Sequence, residues 1–248
     1  MTIISRYSFN RTSRKAMRAL ASAEVLHAIV ARAADPQITA AGAPGTEHEL
    51  AADRILWRLD PGRERHRLFI VSQNRPAADV LATELGGDAT ALESLDYRPL
   101  LTALRPGQEW RFRLKANPTK ALPRGHGQRG RRVGIIRPAD QIAWLTSRAE
   151  QIGVSFPQNR FNLPEVIVRD TAMVEFRRHE ATVSLMTAVL DGFLTVVDPD
   201  LLRTALIGGI GRAKGYGYGL LTLAKPDTVA APATAQSGHS VTSAAHHG

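Results

Sequence analysis

The 248-residue sequence contains no cysteine, which excludes a disulfide scaffold, a thiolate zinc site and a cysteine nucleophile. No apolar run approaches the ~20 residues that a membrane-spanning helix needs. The opening MTIISRYSFNR lacks the positive-then-apolar order of a secretory signal. These absences point to a cytoplasmic protein without a membrane partner. No Asp/Glu cluster has metal-ligand spacing, so neither a metal nor a small-molecule cofactor is expected. A content of 44% hydrophobic and 22% charged residues is that of a globular protein and excludes a disordered body.

What is present is positive charge, unevenly placed. The formal net charge is +9. Residues 105–137 hold ten basic side chains and one acid, Glu109, so this segment carries the whole excess. A second basic stretch, Arg6, Arg11, Arg14, Lys15 and Arg18, precedes the first acid, Glu24. Two basic segments over a balanced body fit an extended anionic partner, with nucleic acid the leading candidate. Arg111, Arg113 and Lys115 alternate along residues 109–116 and share one strand face, a line of positive potential suited to a phosphate backbone. Lys120 and the Gly-spaced basic loop with Arg124, Arg129, Arg131 and Arg132 follow.

Periodicity gives the organisation. Residues 2–8 are β-rich, and residues 14–34, rich in Ala, Leu and Met without Gly or Pro, predict one continuous helix. Residues 54–59 and 67–73 read as strands, 76–85 as a helix stopped by Gly86-Gly87, and 90–97 as a strand. This β-α-β-β-α-β order is ferredoxin-like, and it recurs. Strand 109–116, helix 140–151 and β-rich runs 166–176 and 182–197 flank a tip at 177–181. A helix from Asp198-Pro199 to about residue 207 and a strand over 218–224 complete the second unit. The expected class is α+β with two tandem ferredoxin-like domains, 1–98 and 99–226. Residues 227–248 contain no aromatic and almost no large apolar residue, which predicts a disordered tail.

Residues 208–219, Gly-Gly-Ile-Gly-Arg-Ala-Lys-Gly-Tyr-Gly-Tyr-Gly, let backbone N–H groups approach phosphate beside Arg212 and Lys214. A helix precedes them and no Lys-Ser/Thr pair follows, so they are not a P-loop. Gly209-x-Gly211 lacks a third glycine at Lys214, so they are not a dinucleotide fingerprint. A flexible connection that needs glycine for its turns is the bland alternative. Histidine is the evident acid–base candidate. Among eight, His27 alone lies inside a predicted helix, on a face with Leu20 and Glu24. Taken by itself, a lone helical histidine is more often structural.

Four stretches together resemble a known family. They are Phe112-Arg113-Leu114-Lys115-Ala116-Asn117-Pro118-Thr119-Lys120, Asp140-Gln141-Ile142-Ala143-Trp144-Leu145, Gly192-Phe193-Leu194-Thr195-Val196, and the Gly-rich segment extended to Leu221. Over nearly all of residues 1–226 the sequence resembles the CRISPR-associated repeat endoribonucleases of type I-E systems (the CasE family), the RNA-processing subunits of Cascade. The resemblance implies two tandem ferredoxin-like (RNA-recognition-type) domains. It also implies metal-independent cutting of CRISPR precursor RNA within each repeat, at the base of its hairpin. The partners it implies are the repeat hairpin RNA, which stays bound, and the other Cascade subunits.

The family's catalytic histidine lies in the first helix, a position that His27 matches. Family members can carry a tyrosine one turn earlier; here that position is Glu24, so either Glu24 orients the imidazole or another group does. The implied chemistry is attack by a 2′-OH with His27 as general base, leaving a 2′,3′-cyclic phosphate and a 5′-OH. Lys15, Arg18, Arg212 and Lys214 are candidates to stabilise the phosphorane. Arg177 and Arg178, at the hairpin tip, would probe the stem base. The rival reading is a subunit that holds RNA hairpins without cutting them.

Overall fold

Alternation along the first strand divides the N-terminal sheet into two working faces. The structure, a computed structural model, describes residues 1–35, 55–122, 131–178 and 181–226. In β1 (Ile3–Asn10) Ile3, Ser5, Tyr7 and Phe9 are buried while Arg6 and Asn10 are exposed, as a period of two requires. The single helix expected over 14–34 is instead two, α1 (Arg14–Leu20) and α2 (Ala23–Ala34). Ser22 explains the break. Its backbone is extended, with φ −141° and ψ 122°, and its hydroxyl accepts the Val25 N–H at 3.4 Å, capping a new N-terminus. Glu24 then lies in the first turn of α2, where a carboxylate suits the helix dipole. His27 falls in the second turn.

Strands β2 (Leu56–Asp60) and β3 (Arg65–Ser72), helix α3 (Ala78–Leu85) and strand β4 (Leu92–Asp96) complete the first unit. Residue 54, expected at the start of β2, lies outside the described residues. The antiparallel sheet has the order β2-β3-β1-β4, which is ferredoxin-like.

A short helix, α4 (Arg98–Ala103), leads to β5 (Glu109–Ala116). The second unit continues through β6 (Thr119–Leu122), β7 (Arg131–Gly134), α5 (Pro138–Thr146), β8 (Val154–Ser155), β9 (Val166–Arg178), β10 (Ala181–Val196), α6 (Pro199–Gly208) and β11 (Leu221–Ala224). Its sheet runs β11-β5-β10, and both β8 and β9 pair with β10. Asp198 caps α6 through the N–H groups of Asp200 and Leu201.

Three expectations are corrected here. Part of the basic loop is a hairpin: β6 and β7 pair with Ala121 opposite Arg132, which places Arg131 and Arg132 on a strand. The helix expected to reach 151 stops at Thr146. The last strand starts at Leu221 rather than 218, because Gly217 and Gly219 have φ of 84° and 94°, which a strand does not accommodate. The tail from 227 lies outside the described residues, and no described helix is long and apolar enough to cross a membrane.

Each face of the first sheet buries something different. Tyr7, Phe9, Trp57, Leu68 and Ile70 pack under α2 and α3 with Leu26, Ile29, Val30, Leu81 and Leu85. The opposite face sends Leu56 and Val71, with Ile4 and Phe69 beside them, into the core of the second unit, among Leu114, Leu190, Leu206 and Leu220. On that face Arg58, next but one to Leu56 along β2, is almost wholly buried. It pairs with Asp60 at 2.8 and 3.0 Å, and donates to the carbonyls of Arg113 (2.9 Å) and Leu220 (3.2 Å) and to Thr222 Oγ1 (2.9 Å). A buried guanidinium is tolerated because its donors are satisfied. Arg58 thus ties β2 of the first sheet to β5 and β11 of the second.

Candidate active site

Helix α2 and strand β2 both pack against a short 3₁₀ turn, Lys214–Tyr216, in the Gly-rich segment. His27 is half-buried with Nδ1 inside the protein. The ring's other edge meets the turn: a methyl group placed on Gly215 would lie 3.8 Å from Cε1 and 3.9 Å from Nε2. Glu24 is exposed in the turn before.

Left-handed residues on both sides fix this turn. Ala213 has φ 62° and Gly217 φ 84°. Gly217 lies directly on the buried Trp57 ring, where a Cβ would be 2.5 Å from Cζ3. Tyr216 packs on Phe176 of β9 with ring centroids 4.6 Å apart, and the Lys214 ammonium donates to the Gly208 carbonyl at 2.6 Å. The turn is therefore anchored by α6, β2 and β9 while its glycine remains open to the imidazole.

The predicted cations divide into groups. Lys15 and Arg18 are exposed on α1, which packs on α2. Arg132, Arg212 and Lys214 line one cavity on the other side of the Gly-rich segment. Lys120 and Arg131 are exposed on the β6–β7 hairpin. Arg124 and Arg129 lie outside the described residues, as do the side chains of Arg177 and Arg178.

The alternate residues of β5 share one face as expected, but two of them are already engaged within the protein. Arg113 donates to both Asp191 oxygens at 2.7 and 2.6 Å and lies 3.6 Å from Asp60. Burial pushes the Asp191 carboxyl up, but the hydrogen bonds and charges of Arg113 and Arg169 together outweigh it and hold the group below the usual carboxylate range. Lys115 stands 5.6 Å from the Tyr218 ring centroid, and burial lowers its pKa. Burial also pushes the Tyr218 phenol up to about 12, against a hydrogen bond with Thr187. Arg111 is exposed nearer the start of the strand.

The sequence model of the CRISPR-associated protein family matches residues 3–225. The chain belongs to that family. The CRISPR-associated endoribonuclease Cse3 of Thermus thermophilus is 29% identical over 226 residues, covering 89% of this chain and 99% of the relative. The Cascade subunit CasE of Escherichia coli is 32% identical over 184 residues, 68% of this chain and 88% of the relative. Among solved structures, Thermus thermophilus Cse3 bound to an RNA representing a pre-cleavage complex aligns with a TM-score of 0.69 at 29% identity. The alignment covers 90% of this chain and 98% of that one.

In this CRISPR-associated protein several site residues escaped sequence reasoning. Trp57 and Phe176, which seat the Gly-rich turn, read only as apolar strand residues. Arg58 and Asp191 carry no local signal, because their partners stand on other strands. Asn117 lies in the stretch Phe112–Lys120, but nothing in its spacing announces the cavity it lines. Among the described residues no group of three or more His, Asp or Glu is placed to hold a metal ion.

Proposed function

We propose that this chain is an endoribonuclease that cuts CRISPR precursor RNA within each repeat, at the base of the repeat hairpin, without a metal ion. It then stays bound to the mature guide RNA alongside other Cascade subunits. The observation that carries the reading is the placement of His27 against Gly215, beside a turn that bears Lys214 and follows Arg212. The family and its endoribonuclease and Cascade-subunit relatives support the same substrate class.

His27 acts as general base in this reading. It takes the proton of the 2′-OH preceding the scissile phosphate, the 2′-oxygen bonds to phosphorus in line, and the P–O5′ bond breaks. The 5′-oxygen leaves and acquires a proton, so the products are a 2′,3′-cyclic phosphate and a 5′-OH. Lys15 and Arg18 of α1 balance the charge that develops on the phosphorane, an effect strongest where water is excluded, while Arg212 and Lys214, which line the cavity across the Gly-rich segment, hold the adjoining RNA backbone. Glu24, in the first turn of α2, is the candidate to orient the imidazole. Arg111, Lys120, Arg131 and Arg132 hold the stem, together with Arg124, Arg129, Arg177 and Arg178. An A-form stem hides its base edges in a deep groove, so these contacts follow backbone shape.

The test is cleavage of an end-labelled repeat RNA in EDTA, beside the same RNA carrying a single 2′-deoxy substitution at the cut site. Cutting of the ribose substrate alone, with a cyclic phosphate end, is the expected result. Cutting of the deoxy substrate, or a need for added divalent ion, would refute the mechanism.

A further inference from the structure

Asn117 lies in the stretch Phe112–Lys120 and has no task in RNA cleavage. It follows β5 and is only 5% exposed, and its Oδ1 is buried without a hydrogen-bond donor among the described residues. Buried amide oxygens are nearly always satisfied, so this one calls for a donor from elsewhere.

The residue lines a cavity of about 490 Å³ bounded by the β5–β6 turn, the end of α5 and the Gly-rich segment, a size within the usual range for small-ligand sites. Arg132, Arg148, Arg212 and Lys214 line it, and none of its described lining residues is acidic. Arg148 lies 4.2 Å from the centroid of the Trp144 ring and donates to the Trp144 carbonyl, so it is held in place before any ligand arrives. Burial, and then the charge of Arg132, depresses the pKa of Arg148, as two guanidinium groups close to one another require. Cations for a phosphate and a buried acceptor for an N–H are two halves of nucleotide recognition.

The cavity is separate from His27. Gly215 faces the imidazole, whereas Gly208 to Arg212 and Lys214 face the cavity. We propose that it takes one unpaired ribonucleotide next to the hairpin stem, its phosphate among Arg132, Arg148 and Arg212, and a base N–H donated to Asn117 Oδ1. The proposal rests on the RNA-cleaving reading and adds to it a specificity pocket that sets which phosphodiester reaches His27. A free nucleoside monophosphate carries the same groups, so the experiment separates the two sources.

The full chain would be titrated by fluorescence anisotropy with repeat hairpins made uncleavable by a 2′-deoxy at the cut site. Unpaired nucleotides flanking the stem would be removed one at a time. With wild type, one removal should weaken binding about tenfold, in line with loss of one specific contact set, and the other removals little. Asn117→Ala should abolish that step, leave the affinity for the blunt stem unchanged, and leave Tm equal or higher, because it removes an unsatisfied buried oxygen. Arg148→Gln, on another wall of the cavity, should shrink the same step. Small equal losses at every removal, a step retained in Asn117→Ala, or a lowered Tm in that variant would overturn the proposal. Micromolar binding of a free nucleoside monophosphate with no step on RNA would do the same. Failure of wild type to bind the blunt stem would overturn the hairpin-nuclease reading itself, and this pocket with it.

Discussion

Substituting Gly217 by alanine should displace the turn that faces His27, whereas the same change at Gly208 or Gly215 should not. Gly217 has φ 84°, and a Cβ there would lie 2.5 Å from Cζ3, 2.7 Å from Cη2 and 2.8 Å from Cε3 of Trp57. The Trp57 ring is buried in the first core and has nowhere to retreat. A left-handed L-residue costs about 1–2 kcal/mol and overpacking about 1–3 kcal/mol, roughly 2–5 kcal/mol together. For a chain of this size each kcal/mol lowers Tm by about 2–4 °C, so a drop on the order of 4–20 °C is expected. Around Gly208 nothing lies within 4 Å of a Cβ, and at Gly215 the nearest atoms, in His27, are at ordinary contact distance. Those two variants should melt within about 2 °C of wild type, no more than the effect of 1 kcal/mol. Thermal unfolding followed by circular dichroism, with repeat cleavage assayed well below each Tm, reads both effects. A Gly217→Ala protein that melts and cuts like wild type would refute the reasoning. So would a Gly208→Ala protein damaged as severely.

Arg58→Ala leaves Asp60 with the more distant Arg113, 3.6 Å away, and Lys115 as cationic partners, and should cost about 3–5 kcal/mol in urea unfolding. Arg58→Lys should restore little, because an ammonium cannot reproduce the forked contacts; full recovery would contradict the account of the tie. Arg132→Gln should lower the slope of log K against log salt for hairpin binding by about one, while Arg113→Gln, bound to Asp191, should lower stability and leave that slope alone. A reversed pattern would mean that Arg113 faces the RNA. His66 packs against Phe9, and burial, aided by Arg11, lowers its pKa below 6.5. The unfolded chain therefore binds the proton first. The stability contributed by His66 should be complete above pH 6.5 and fall as pH drops through the folded pKa. Urea unfolding of His66→Phe across pH 5–7.5 should show a flatter dependence than wild type, and equal slopes would contradict this.

The order of strands and helices was legible because two periodicities, of two and of 3.6 residues, alternate in the same sequence in both halves. What stayed hidden depends on single side chains or on distant ones. Ser22 sits in a stretch whose Ala and Leu content argues for helix throughout, yet one hydroxyl suffices to end and restart it. Charge counting located the basic segment but could not separate Arg113 from Arg132. The first is held by Asp191 on β10, and the second reaches a cavity by way of a hairpin. Arg58 reads as an ordinary polar residue of an alternating strand, because Thr222 and the carbonyls of Arg113 and Leu220 arrive from the other half of the chain. His27 is a helical histidine in the sequence, and only the fold lays Gly215 against it.

The role of His27 is tested most directly by His27→Ala in single-turnover cleavage of a labelled repeat in EDTA, with affinity for the uncleavable repeat measured in parallel. Loss of the general base should slow cleavage by about 10²–10⁴-fold while affinity stays within about twofold of wild type, since stem binding is carried by the basic hairpin and strand. Cleavage at the wild-type rate in His27→Ala would contradict the assignment.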